Sequence, residues 1–165
     1  MTRIIKSILS WLFTCYAKST AKNWKADIKA NGFTKLTSKT ILGKNVHFNG
    51  MRIFGVGTCY IGDNFHSGFG CNIMTSHHNY EGDKIPYDKT LIIKGDTIIK
   101  DNVWFGINVT VMGGVTIGEG VIIQAGSVVV NNIPDYAIAG GHPAKVFSIR
   151  NIEHYLELKK QGQFI

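Results

Sequence analysis

"IKGDTIIKDNVWFGINVTVMGGVTIGEGVIIQAGSVVVNNIP", residues 93–134, divides into seven consecutive sixes. Their first positions are Ile93, Ile99, Phe105, Val111, Ile117, Ile123 and Val129, and their fifth are Thr97, Val103, Val109, Val115, Val121, Ser127 and Ile133. Gly, Asn and Asp fill many positions between, and these residues suit corners. A helix needs apolar spacings of three and four, and a half-buried strand needs simple alternation. A strict six fits neither. One short strand and one turn per six residues does fit. Three such units close a triangular coil of about eighteen residues, and coils stack by parallel strand pairing at about 4.8 Å. The first-position side chains then form columns inside the prism. The phase runs upstream through "IGDNFH", "SGFGCN" and "IMTSHH" (61–78). It continues more loosely through "ILGKNV", "HFNGMR" and "IFGVGT" (41–58), with a two-residue slip at Cys59 and Tyr60. The expected fold is an all-β parallel β-helix of about four coils over 41–150.

These hexads resemble those of the hexapeptide-repeat acyltransferases. The most specific piece is "DNVWFGINVTVMGGVTIGEGVIIQAGSVVVNNIPDYAIAGGHPAKVF" (101–147), which is similar to the C-terminal coils of the galactoside, maltose and polysaccharide O-acetyltransferases. The resemblance implies a left-handed β-helix, against the right-handed preference of ordinary parallel crossovers. The repeat alone implies only a fold, because nucleotidyltransferase accessory domains and γ-class carbonic anhydrases share it.

The widest break in the rhythm follows His78. Ile93 follows Ile73 by twenty residues, so residues 79–92 form an inserted loop, and "SHH" stands immediately before it. Loops on a rigid scaffold are where binding chemistry concentrates. Asn79, Tyr80, Glu81 and Asp83, with Tyr87, supply polar groups and aromatic faces of the kind that read a carbohydrate. Acyl transfer to a hydroxyl needs a base near neutral pH, and histidine supplies one. His77 and His78 are the fifth and sixth residues of their hexad. The family resemblance places the catalytic histidine at the sixth position, which selects His78, with His77 as the fallback. The competing reading makes both of them polar residues at a solvated corner. The stretch from His78 to Trp104 is slightly longer than in the galactoside enzyme, so acceptor choice does not carry over. His66 raises the possibility of a carbonic-anhydrase-like metal site, but the three-histidine spacing of that class is absent.

On the donor side, the resemblance puts Trp104 of "NVWFG" along the pantetheine arm of acetyl-CoA. Ile107, Ala125 and Gly126 border that arm, where a bulky side chain would block a narrow channel between prisms. Lys145 of "GGHPAKVF" replaces a family arginine that meets the coenzyme phosphates, keeping charge without a bidentate fork. Asn131 stands where the galactoside enzyme has lysine, and Arg150 is near enough in sequence to compensate. The resemblance further implies a C3 homotrimer with a site between adjacent prisms, direct transfer in a ternary complex, and no metal. The expected acceptor is a sugar hydroxyl of a bacterial capsular polysaccharide or lipopolysaccharide precursor. The rival readings are an antibiotic or other small-molecule acetyltransferase of the same fold, and a non-catalytic or metal-binding β-helix.

Composition bounds these readings. With 165 residues, 44% hydrophobic and 18% charged, the chain suits one folded domain. Three cysteines without a CxxC argue against a disulfide framework and for a reducing, cytoplasmic compartment. The net charge of +7 lies wholly in residues 1–40, which hold eight Lys/Arg and one acid, Asp27. The rest is balanced, which disfavours a nucleic-acid surface spread over the main domain. Residues 1–40 read as a basic helical segment. Ile4, Ile5, Ile8, Leu9, Trp11, Leu12 and Tyr16 form an apolar stripe, with Lys6, Ser7, Ser10, Thr14 and Lys18 mostly opposite. That stripe either covers the end of the main domain or gives residues 1–20 peripheral contact with anionic lipid at the inner face of a membrane. Residues 151–165 read as a C-terminal helix and tail, with Ile152, Tyr155 and Leu156 on one side, capping the last coil or touching a neighbouring subunit. His154 is expected at the surface.

Overall fold

A computed structural model describes residues 2–165. Its strands stack in parallel on three faces of a left-handed β-helical prism. The first face carries Asn23–Trp24, Thr40–Leu42, Cys59–Ile61, Thr97–Ile99 and Thr116–Ile117. The second carries Ile28–Gly32, Val46–Asn49, His66–Ser67, Trp104–Phe105, Ile122–Ile123 and Ala137–Gly141. The third carries Arg52–Phe54, Asn72–Met74, Thr110–Met112 and Val128–Val129. The chain visits the faces in turn and makes about six circuits, not the four expected. The first circuit lies within the segment expected to be helical: only Arg3–Thr20 is helix there, and strands begin at Asn23. That circuit was hard to read because its inward positions include only Ile28, Ala30 and Leu36 among lysines and polar residues. The last circuit closes with an antiparallel hairpin between Ala137–Gly141 and Ala144–Ile149.

The core is three columns in register. Ile61, Ile99 and Ile117 stack on the first face. Ser67, Phe105, Ile123 and Ala139 stack on the second, and Ile53, Ile73, Val111 and Val129 on the third. All of these are buried, as are the fifth-position residues from Thr97 to Ile133. Two parts of the sequence frame are displaced. Ile93 is exposed, because the insertion ends just before it. In the looser upstream hexads Leu42 and Phe48 enter the core instead of Ile41 and His47, a shift of one residue.

The corner between the first and second faces has a second ladder. Asp27, Asn45, Asn64, Asn102 and Tyr136 all have positive φ there, with Gly120 in the same series. Asparagine enters this left-handed region more readily than most residues because its short amide bonds locally. Here the amides also bond to each other: Asn45 Nδ2 donates to Asn64 Oδ1 at 2.9 Å, and Asn64 Nδ2 donates to Asn102 Oδ1 at 2.8 Å.

Helix α1 (Arg3–Thr20) covers the open edge of the first circuit with the side opposite its apolar stripe. Thr14 Oγ1 accepts from Ala30 N at 2.9 Å, Ser10 Oγ donates to Ala30 O at 3.0 Å, and Thr20 Oγ1 accepts from Leu36 N at 3.2 Å. Ala17 is buried beneath the helix, while Ile4, Ile5, Ile8, Trp11 and Leu12 are exposed. Helix α2 (Ile152–Lys160) runs beside the prism instead of capping its end. Tyr155 is buried against the asparagine corner, while Ile152 and Leu156 are exposed.

Candidate active site

The insertion is an arm. His77–His78 pairs antiparallel with Leu91–Ile92, and Asn79 N donates to Thr90 O at 2.9 Å. Asn79 is committed to the arm's own structure: its Oδ1 accepts from Glu81 N at 3.1 Å, its Nδ2 donates to Asp88 Oδ2 at 3.3 Å, and its main-chain O accepts from Asp88 N. Tyr80, Glu81 and Asp83 are exposed along the arm. His78 is exposed and stacks on Tyr87, with ring centroids 4.3 Å apart and planes at 20°. His77 is half-buried and stacks on Tyr80 at 5.8 Å. Thr75, not His77, takes the buried position before the arm.

The donor-side residues lie elsewhere. Trp104 is on the second face, in register with His66 and Ile122, and is 54% exposed. Ile107, Ala125 and Gly126 stack at the corner between the second and third faces, where Gly126 N donates to Ile107 O at 2.8 Å. The stacking is close: a Cβ on Gly106 would sit 2.6 Å from Ala125 N. Outside Gly126 the space is open, with nothing within 4 Å of an added Cβ, so a thin chain can pass along this corner. Lys145 is exposed one circuit further on, opposite Gly140 in the closing hairpin. Trp104, Ile107, Ala125, Gly126 and Lys145 therefore follow one edge region of the prism. Asn131 does not join them; it is exposed in the turn after Val128–Val129, beyond the third face. Arg150 is also occupied elsewhere. Its Nη1 donates to Gly120 O at 3.1 Å and its guanidinium lies 4.8 Å from the Tyr155 ring.

Comparison with known proteins bears on this geometry. Residues 96–131 match the family profile described as bacterial transferase hexapeptide (six repeats). Those residues are hexapeptide repeats. Over 78 residues the chain is 47% identical to a "probable macrolide acetyltransferase" of Lysinibacillus sphaericus, covering 45% of this chain and 43% of that relative. It thus spans less than half the length of that curated relative. A galactoside acetyltransferase in complex with coenzyme A has a similar fold at 22% identity, with a TM-score of 0.68 over 93% of this chain and 82% of that one. A maltose O-acetyltransferase from Clostridium difficile is 27% identical, with a TM-score of 0.53 over 77% of this chain and 65% of that one.

The arm leaves after the third face, whereas Trp104 stands on the second. The groove of about 420 Å³ beside Trp104 is lined by His66, and by neither His77 nor His78. A single copy therefore does not line the groove beside Trp104 with the candidate base. Two features of this groove were not read from the sequence. One is His66 of its wall, stacked on His47 behind it with centroids 4.4 Å apart. Burial pushes both imidazoles below their ordinary pKa; His66 and Lys29 add to this at His47 against Asp27, and the Ile165 main chain opposes it at His66. The other is the far wall, made by Tyr155, Leu158, Phe164 and Ile165. His66 was visible as a histidine in a hexad, but the tail's docking depends on contacts more than a hundred residues apart, such as Asn45 Nδ2 to Ile165 O at 2.9 Å. Among the described residues no three His, Cys, Asp or Glu side chains converge as a metal site.

Proposed function

We propose that this chain is an acetyl-CoA-dependent O-acetyltransferase acting on a sugar hydroxyl of a capsular polysaccharide or lipopolysaccharide precursor. The observation that carries the reading is the edge of Trp104, Ile107, Ala125, Gly126 and Lys145. It combines a half-exposed indole, a corner kept clear by small residues and a terminal cation. Such an edge suits an extended thioester whose phosphates end near Lys145. The galactoside acetyltransferase of similar fold was solved with coenzyme A, which supports the same donor here.

In the proposed reaction His78 removes the proton from the acceptor hydroxyl as its oxygen attacks the thioester carbonyl. The tetrahedral oxyanion collapses with cleavage of the C–S bond, and the proton passes from the imidazolium to the departing thiolate. No acyl-enzyme forms. Stacking on Tyr87 would hold the His78 ring at a fixed angle, and Tyr80, Glu81 and Asp83 would meet the acceptor. Because His78 and Trp104 occupy different sides of the prism, the site is completed by a neighbouring copy, as in a C3 trimer with three sites.

A macrolide acceptor is the second reading, favoured by the identity to the Lysinibacillus sphaericus relative. The basic N-terminal segment favours the glycan, because a lipid-linked precursor is presented at an anionic surface. The test is release of free thiol from acetyl-CoA across glycan and macrolide acceptors. His78→Ala should lower kcat by about 10²–10⁴-fold while His77→Ala loses far less. Full activity in both variants would remove the histidine base, and thiol release with macrolides alone would replace the acceptor.

A further inference from the structure

We infer that the α1 end of the prism is a docking face for the surface of an anionic phospholipid bilayer. The inference is independent of the acyltransferase reading, since it concerns the opposite end of the solenoid from Lys145. Helix α1 spends its Ser10, Thr14, Ala17 and Thr20 side on the first circuit. Its outward side is consequently apolar: Ile4 is 72% and Trp11 65% exposed, and Ile5, Ile8 and Leu12 are exposed beside them. Capping the edge uses the hydroxyl side of the helix and leaves a contiguous apolar side bare, and an exposed apolar stripe of this kind calls for an apolar medium on the far side.

Charge identifies that medium. Residues 1–40 carry eight Lys/Arg against one Asp. Arg3, Lys6 and Lys29 line a groove of about 450 Å³ between the helix and the strand Ile28–Gly32, with Ser10, Trp11 and Asn31. None of these three cations has a carboxylate at ion-pair distance among the described residues. A second copy placed on this face would bring its own Arg3, Lys6 and Lys29 against these three cations. A bilayer with anionic headgroups neutralises them, takes the Ile and Trp side chains into its interfacial layer, and offers phosphates to the groove. Among the described residues no helix is long and apolar enough to cross a membrane, and the inferred contact is with the surface.

The test is co-sedimentation of the full chain with vesicles of phosphatidylcholine alone or with about one-third phosphatidylglycerol. Two double variants accompany it, Ile8→Glu with Trp11→Glu, and Lys6→Gln with Lys29→Gln. All four positions are exposed, and unchanged circular dichroism checks that each variant folds. The expected result is binding only to the anionic vesicles. The apolar-to-Glu pair should abolish it, and the lysine pair should weaken it about 25-fold, from about fivefold per cation. Inorganic phosphate should compete no better than chloride at equal ionic strength. Absence of vesicle binding, equal binding to phosphatidylcholine, or insensitivity to the apolar-to-Glu pair would overturn the proposal. So would selective displacement by phosphate, which would indicate a free-anion site. So would an oligomer lost in the apolar-to-Glu pair without vesicle binding, which would make the face a contact between copies.

Discussion

His47 and His66 stack outward from the second face, and burial keeps both imidazoles harder to protonate than in the unfolded chain. The native state therefore binds fewer protons than the unfolded state as pH falls through about 6.5. Stability contributed by this pair is fully present above that pH and is lost below it. Asp63 and Glu119 are drawn up by partial burial, but hydrogen bonds, from Lys44 and Lys25 at Asp63 and from Lys159 and Tyr155 at Glu119, outweigh it. Their loss therefore falls at more acidic pH. The denaturation midpoint should drop from about pH 7 to about pH 5, and His66→Gln should flatten that slope. A midpoint independent of pH in this window, or one equally steep in the variant, would contradict the assignment. At this scale the sequence was legible where a residue's role is set by its own hexad. Ile99, Phe105, Val111, Ile117, Ile123 and Val129 are buried as their positions require. It was not legible for Arg150, whose guanidinium is drawn to Gly120 and Tyr155 instead of a phosphate.

Among the elements, α2 owes its place to one side chain. Tyr155 Oη accepts from Asn102 Nδ2 at 2.8 Å and donates to Glu119 Oε1 at 2.8 Å, so it joins the end of the asparagine ladder to the helix. Burial and the Glu119 carboxylate push the phenol's pKa well up, so it remains a donor at any ordinary pH. Tyr155→Phe should cost about 1–3 kcal/mol, because it strands a partly buried amide as well as removing a bond. The expected outcome is a lower urea midpoint and faster proteolysis within 151–165; unchanged proteolysis would mean that other contacts hold the helix. Both terminal helices were legible as helices, from amphipathic spacing. Their orientations were not, because periodicity reports which side is apolar and not which side is covered. For α1 the decisive fact is the free edge of the strand Ile28–Gly32, whose main-chain groups need hydroxyl partners such as Ser10 and Thr14. The arm was legible as a break in period, though Asn79 proves to brace it.

In the whole molecule, the stacked circuits separate the arm from the donor edge, and this separation is what makes the proposed site a property of several copies. The six-residue period reported the prism directly, because each coil repeats the same inward positions. It could not report where a second prism would sit, since that surface is discontinuous in sequence. The direct measurement is subunit complementation. His78→Ala and Trp104→Ala chains, each inactive alone, are co-expressed with different tags and the mixed oligomers are purified. If His78 of one copy serves the donor edge of its neighbour, about one site in three of each purified mixed trimer carries both intact groups, and thiol release from acetyl-CoA returns to about a third of the wild-type value. Mixed oligomers that form and remain inactive would contradict the shared site.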